Sequence, residues 1–296
     1  MAGLTLPTPI GMAAGFDKDC NVLKSLLNLG FGFVTGGTIT LASRPGNPKP
    51  RVIRLPDQKA LVNSMGFPGR GLEPAINRLQ RSQPYKNRIF VSIAGTIEDE
   101  IFDCFNRAQS LAGGIELNIS SPNTVGLRIF HETGRLRGLI EGLTAEKTVP
   151  LFVKLPPWSR DDDDRREILK LVETAIDAGV DGLIVANTRP VENSRLKVGR
   201  GGLSGKPLFE NTELMIADVQ ALVHDEIGII ACGGVSTPTH VWKLIASGAS
   251  AVQLYTSFIY EGPGLPARLN KGLAKLMDAA GITTVEEISG TPPTIK

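Results

Sequence analysis

Eight short apolar runs recur along the 296-residue chain, each followed by a longer amphipathic stretch. The runs are Ile10–Ala14, Phe31–Thr38, Ile89–Ala94, Gly114–Ile119, Leu151–Leu155, Gly182–Asn187, Gly228–Cys232 and Ala251–Tyr255. Several are apolar on both faces (VTGGTI, IFVSIA, LIVAN), as parallel strands covered on both sides are. The MAAG run is the least strand-like, because Gly and Ala are poor strand formers. Helical periodicity covers 21–29, 71–82, 97–112, 135–145, 168–178, 208–225, 237–247 and 265–280, with Gly30, Gly113, Gly248 and Gly281 at expected stops. Four acids, Asp161–Asp164, precede one helix and read as a dipole-favoured start rather than a metal site.

Eight strands alternating with about eight helices predict an α/β fold, the (β/α)8 TIM barrel, as a single domain over 1–296. That fold takes about 250 residues, which leaves room for inserted loops at the C-terminal face. An open doubly wound sheet is the alternative. Two connections, 41–68 and 188–206, are too long for simple turns and read as functional loops. Residues 282–296 read as a tail.

Hydrophobic residues make up 42% of the chain and charged residues 21%, enough for a large core without staples. The net charge of +2 gives no reason to expect a nucleic-acid or anionic-membrane partner. No apolar run approaches the ~20 residues of a membrane span, and the start lacks the features of a signal peptide. The three cysteines, Cys20, Cys104 and Cys232, form no C-x-x-C pair, which fits a reducing compartment and buried structural thiols. With 3 histidines as well, no metal site is expected.

In such a barrel the active site lies at the C-terminal strand ends, and polar and Gly-rich residues gather there. Gly233-Gly234 and Tyr255-Thr256 follow the seventh and eighth strands, where such barrels usually hold a phosphate; Ser204-Gly205 adds donors. Each glycine pair alone could simply turn the chain. Lys154, in an apolar strand, could pair with a carboxylate, form a Schiff base or stabilise an anion. Asn63, Asn118, Asn123 and Asn187 fall at strand ends or in adjoining loops. Together they could grip a planar imide or carboxylate; singly, each reads as turn chemistry. Ser121 has only His131 nearby in sequence, so a Ser-His-Asp triad is unsupported, and composition alone makes it a turn residue.

AAGFDK at 13–18, GxxTxxxxPGNPKPRxxRL across 37–55, NxMGF at 63–67 and ELNISSPNTVGLR at 116–128 form an ordered set. VKLPP at 153–157, GLIVANT at 182–188, GGLSGKPL at 201–208, IIACGGV at 229–235 and QLYTS at 253–257 continue it. Over about residues 9–260 the chain resembles the dihydroorotate dehydrogenases, flavin enzymes of pyrimidine biosynthesis. The resemblance implies a barrel that binds FMN and oxidises dihydroorotate to orotate. It implies Ser121 as the base at C5 and hydride transfer from C6 to flavin N5. Thr124 would lie beside the base, and Phe67 would shape the relay's surroundings. Asn63, Asn118, Asn123, Asn187 and Thr188 would hold the substrate, with Lys18 reaching substrate or flavin. Ala14, Gly15, Thr38, Ser92 and Asn118 would contact the flavin ring, and Lys154 its N1/O2 edge. Ser204, Gly205, Gly233, Gly234, Tyr255 and Thr256 would surround the phosphate.

A serine base resembles the membrane-associated, quinone-using class, and Arg54 matches an arginine near that class's quinone tunnel. Ser92 stands where that class usually has Asn; Ser64, Ala186 and Pro68 replace its usual Arg, Thr and Asn. That class also carries an N-terminal helical extension, whereas this sequence starts almost at the first strand. The expectation is a cytoplasmic protein, with peripheral membrane contact as the alternative. The electron acceptor is a quinone, fumarate or a partner subunit. The family contains dimers and tetramers, so a homo-oligomer is compatible with it. Outside the family, a Schiff-base lyase using Lys154 is the rival, and another dihydropyrimidine is the alternative substrate.

Overall fold

The computed structural model describes residues 1–120, 126–159, 161–223 and 227–291. Its strands are β1 (Ile10–Asp17), β2 (Phe33–Ile39), β3 (Val52–Leu55), β4 (Ala60–Asn63), β5 (Ile89–Ile93) and β6 (Gly114–Asn118). They continue with β7 (Leu151–Lys154), β8 (Gly182–Val185), β9 (Arg189–Glu192), β10 (Arg200–Gly205), β11 (Gly228–Cys232) and β12 (Ala251–Leu254). Eight of them, in the order β1-β2-β5-β6-β7-β8-β11-β12, close into a parallel barrel. The fold is the (β/α)8 barrel, and each of the eight apolar runs supplies one barrel strand. The Gly- and Ala-rich first strand is longer than its composition suggests. Both neighbours supply its ladder, with a register shift between Met12 and Asp17. Gly11 is fixed by packing, since a Cβ there would meet the Phe33 ring at 2.3 Å.

Helices fill the outer ring: α1 (Leu23–Asn28), α2 (Leu72–Arg81), α3 (Glu98–Ala108), α4 (Thr133–Glu146) and α5 (Asp162–Asp177). After them come α6 (Phe209–Gln220), α7 (Pro238–Ala246), α8 (Thr256–Glu261) and α9 (Leu265–Ala280). Their apolar faces bury against the strands in the large core cluster. The run of acids starts α5 as its charge pattern implies. Asp161 is the N-cap, its carboxylate accepting from the Asp163 and Asp164 amides at 3.0 and 3.1 Å.

The lower half of the barrel interior is a dry layer. Phe33, Phe90, Phe152, Ile184 and Ile230 are fully buried there. Phe33–Phe90 and Phe90–Phe152 ring centroids lie 5.1 and 5.2 Å apart. Met1, Ala2, Leu4 and Leu6 pack against this layer and close the bottom.

Three expectations are corrected. First, the long connections are not irregular loops: they carry β3, β4, β9 and β10, an antiparallel sheet in the order β3-β4-β10-β9. Its ladder sets Val52, Asn63, Gly202 and Pro190 in one row and Ile53, Val62, Leu203 and Arg189 in the next. Side chains alternate between faces, so Ile53, Val62 and Leu203 join Leu196 in a small core on one side. Val52, Leu61, Asn63 and Ser204 turn the other way and roof the barrel mouth. Second, α8 was not expected; it braces this roof, with Tyr260 Oη donating to the Ala60 carbonyl at 2.8 Å. Third, residues 282–291 are packed rather than a tail. Ile288 is fully buried, and the Trp242 indole donates to the Thr291 carbonyl at 3.0 Å.

Candidate active site

A cavity opens between the C-terminal ends of the barrel strands and the sheet that roofs them. Ala14 and Gly15 belong to β1 and Lys18 follows it, Thr38 belongs to β2, Asn118 ends β6 and Lys154 ends β7. Asn187 and Thr188 come from the turn after β8, Gly233 and Gly234 from the turn after β11, Tyr255 follows β12 and Thr256 starts α8. Asn63, Ser204 and Gly205 line it from the roof, and Phe67 from the segment after β4. Among the described residues of the sequence-derived set, Ser92 alone is missing from this lining. Ser92 is fully buried one layer below, and Ser121, Asn123 and Thr124 lie outside the described residues.

The floor is one directed hydrogen-bond chain. The Asn187 amide donates to Ser120 Oγ at 2.9 Å, and Ser120 Oγ donates to Asn118 Oδ1 at 3.1 Å. Asn118 Nδ2 donates to Thr38 Oγ1 at 3.1 Å, and Thr38 and Ser92 hydroxyls lie 2.9 Å apart. Ser92 Oγ finally donates to Glu116 Oε1 at 2.8 Å. Because Ser92 spends its hydrogen on the carboxylate, Thr38 must donate to Ser92. Every donor then runs toward Glu116. That carboxylate therefore fixes which edge of Asn118 faces the cavity.

Glu116 also faces Lys154, with Nζ 3.7 Å from Oε1 and side-chain exposures of 0% and 6%. Burial is the largest single influence and opposes the lysine's charge, but the Glu116 carboxylate, through its charge and hydrogen bond and together with Cys232, offsets it and holds the ammonium above the usual lysine range. The cavity thus meets a buried cation paired with a carboxylate. Lys18 differs: burial, aided by the positive charge of Arg51, pulls it below the usual lysine range. Its Nζ donates to the Gly15 carbonyl. Asp17 steadies that loop by accepting from the Asn21 and Val22 amides, both at 2.7 Å.

At the opposite wall Thr256 Oγ1 donates to Ser204 Oγ at 2.8 Å, joining α8 to the roof. A Cβ on Gly234 (φ +75°) would lie 2.4 Å from the Phe209 amide nitrogen. The start of α6 packs too closely there for any side chain.

A family model described as dihydroorotate dehydrogenase matches residues 1–277. The chain is 38% identical to the dihydroorotate dehydrogenase (quinone) of Novosphingobium aromaticivorans, covering 98% of this chain and 87% of the relative. It is 36% identical to the protein of the same name in Halobacterium salinarum, over 97% of this chain and 84% of that one. Among solved structures, dihydroorotate dehydrogenase of Eimeria tenella in complex with ferulenol superposes with a TM-score of 0.87. That pair is 34% identical over 97% of this chain and 85% of that chain. The chain belongs to the dihydroorotate dehydrogenase family.

The family's enzymes are oxidoreductases, and FMN is their general cofactor. The cavity of this dihydroorotate dehydrogenase family member fits such a group on its own chemistry. Gln253 Oε1 and Ser257 Oγ are buried in residues lining the cavity and have no hydrogen-bond partner among the described residues. Buried polar atoms rarely stay unpaired, so these two suit the polar edges of a bound molecule. Glycine turns and the Ser204, Thr256 and Ser257 hydroxyls suit a phosphate, and Lys154 suits a ring that gains negative charge. Sequence reasoning missed Glu116, Ser120, Gln253 and Ser257. Glu116 and Gln253 were detectable as lone polar residues inside the strands IELN and AVQL. Among the described residues, no helix is long and apolar enough to cross a membrane.

Proposed function

We propose that this chain oxidises dihydroorotate to orotate with FMN in the barrel mouth, a step of pyrimidine biosynthesis. The observation that carries the reading is the buried Lys154–Glu116 pair, which ends a hydrogen-bond chain through Thr38, Asn118 and Asn187. Ser121 is the base that removes the C5 proton, a role that rests on the family's sequence pattern. Asn63, Asn118, Asn123, Asn187 and Thr188 orient the planar ring and its carboxylate, and Thr124 and Phe67 flank the base. FMN supplies the two-electron sink for the hydride that leaves C6. Lys154 offers its charge where negative charge grows, and because Glu116 already fixes that charge, no reorganisation is needed. Lys18, Ala14, Gly15 and Thr38 line the flavin ring; Ser204, Gly205, Gly233, Gly234, Tyr255 and Thr256 hold the phosphate. Ser92 acts from below, through Thr38.

A lysine held protonated is a poor Schiff-base nucleophile, which favours this reading over a lyase. The names of the relatives favour a quinone as electron acceptor over fumarate or a partner subunit.

The test is an anaerobic visible spectrum before and after adding dihydroorotate. The expected result is a flavin spectrum that bleaches with dihydroorotate and not with dihydrouracil, and recovers with a quinone. A flavin spectrum that dihydroorotate leaves unchanged removes the substrate; a colourless protein that FMN cannot reconstitute removes the cofactor. Ser121→Ala is expected to slow bleaching at neutral pH by about 10²–10⁴-fold, the usual contribution of a positioned base.

A further inference from the structure

Behind the glycine turn after β11 lies a histidine that the proposed chemistry does not use. His240 is in the first turn of α7, its amide donating at 3.1 Å to Thr237 Oγ1, the cap of that helix. Its imidazole stacks on Phe209, the first residue of α6, with ring centroids 3.8 Å apart and planes at 18°. Gly234 is wedged against the backbone of the same Phe209, and Ser236 Oγ, two residues further on, lies 3.4 Å from His240 Nδ1. The ring is thus pinned beside the Gly233-Gly234 turn. Gly233, Gly234 and Lys206 line the cavity; His240 does not.

The surroundings of the ring suit an anion that is yet to arrive. Burial, then the positive charges of Lys243 on α7 and Lys206 in the turn before α6, pull His240 below the usual histidine range. A hydrogen bond with the Gly234 backbone is the one influence that favours the charged ring. Neither Glu210 of α6, Lys271 of α9 nor Glu286 and Glu287 of the C-terminal segment is among the groups that act on it. The positive end of the α7 dipole works in the same direction as the lysines.

We propose that His240 takes up a proton when the phosphate of the cofactor binds at the Gly233-Gly234 turn, and so ties FMN affinity to pH. The inference rests on the FMN reading of the cavity. A phosphate monoester carries about −1.5 to −2 charges at neutral pH. Placed at the turn, it offsets the field of the two lysines and the helix end, and the charged ring then gains an anion across one residue of backbone. The proton comes from solvent and no bond other than N–H forms. Such coupling is reciprocal: a phosphate that favours the proton is itself held more tightly when the proton is present. FMN should therefore bind more tightly as pH falls through the range in which the ring is neutral in the empty site and charged in the filled one.

The test is equilibrium release of FMN from the diluted holoprotein, read by recovery of flavin fluorescence, for the parent and His240→Gln. The range is about pH 8 to about pH 5, where a histidine changes charge. The ratio of the two dissociation constants should be near unity at the alkaline end. At the acid end the variant should bind about tenfold more weakly, the low end of what an opposite charge does to a protonation equilibrium. The phosphate's own titration, near about pH 6, cancels in the ratio. Riboflavin, which lacks the phosphate, should give a ratio that does not change with pH. A second measurement needs no variant to fold: proton NMR of the His240 ring in the parent. That ring should half-titrate at about tenfold lower proton concentration with FMN bound than with riboflavin bound. A flat ratio with FMN overturns the proposal, as does the same slope with riboflavin or a ring titration that FMN leaves unmoved. A parent that binds no flavin removes the FMN reading and this inference together, whereas FMN bound without pH coupling removes the inference alone.

Discussion

The same eight strands build two unlike interiors. Below, β2, β5 and β7 point Phe33, Phe90 and Phe152 inward, where they pack with Ile184 and Ile230 and are closed over by Met1, Ala2, Leu4 and Leu6. Above, the same three strands point Thr35, Ser92 and Lys154, joined by Glu116 of β6 and Gln253 of β12, all buried. The difference follows from what each half needs. A closed lower layer gains dispersion and excludes water at no polar cost. The upper layer accepts a buried ion pair and orphaned oxygens, which cost stability and are useful only if a ligand meets them. The barrel thus separates the residues that hold it shut from the residues that act.

The largest expected effect tests the upper half. Lys154→Met leaves Glu116 buried without its cation. It should slow anaerobic flavin reduction by dihydroorotate by about 10²–10³-fold, the range for losing a preorganised electrostatic group. Stopped-flow absorbance measures this, and a loss under tenfold would mean that Lys154 is structural only. Phe90→Ala tests the lower half. Emptying a fully buried ring site is expected to cost about 3–5 kcal/mol in urea unfolding, with the reduction rate of the folded protein unchanged. A variant that keeps its stability but loses its rate would break the division between halves.

How much of this was legible beforehand follows the same line. The barrel strands were readable because burial on both faces makes each one a continuous apolar run, whatever its partner. The roof was not, since β3, β4 and β9 are four residues long and β4 pairs with β10, whose Leu203 meets Val62 far away in sequence. Nothing local marks such strands. Strand-end asparagines and glycines were visible as a cluster, but the hierarchy among them was not. Ser92, expected against the flavin, lies beneath Thr38, because its partner Glu116 sits on the neighbouring strand in a register that only the folded barrel sets. Of the SSPNT segment only Ser120 is described; Ser121–Thr124 lie outside the described residues, so their part in the site is argued from sequence alone.

The smallest expected effect asks whether the upper half is also held from outside. Trp158, in the segment after β7, donates its indole N–H to Asp218 of α6 at 3.1 Å, and Arg165 of α5 grips the same carboxylate at 2.8 and 2.7 Å. The Arg165 hydrogen bond holds the Asp218 carboxyl below the usual carboxylate range, with burial opposing it and Trp158 helping. A carboxylate whose folded pKa is depressed stabilises the fold above its unfolded pKa, and loses that contribution as pH falls through the folded one. The side chains of Asp218 and Arg165 are 23% and 41% exposed, so solvent screens much of the gain. Asp218→Asn is therefore expected to lower the melting temperature only slightly at pH 7. The difference from the parent should shrink as pH falls below the ordinary carboxylate range of about 4. Flavin reduction should be unchanged, because Lys154 is oriented by Glu116 inside the barrel rather than by the loop above it. A melting difference that persists at acid pH would show that Trp158 packing, not the carboxylate's charge, is what the substitution disturbs. A slowed reduction would place α6 among the elements that position the site.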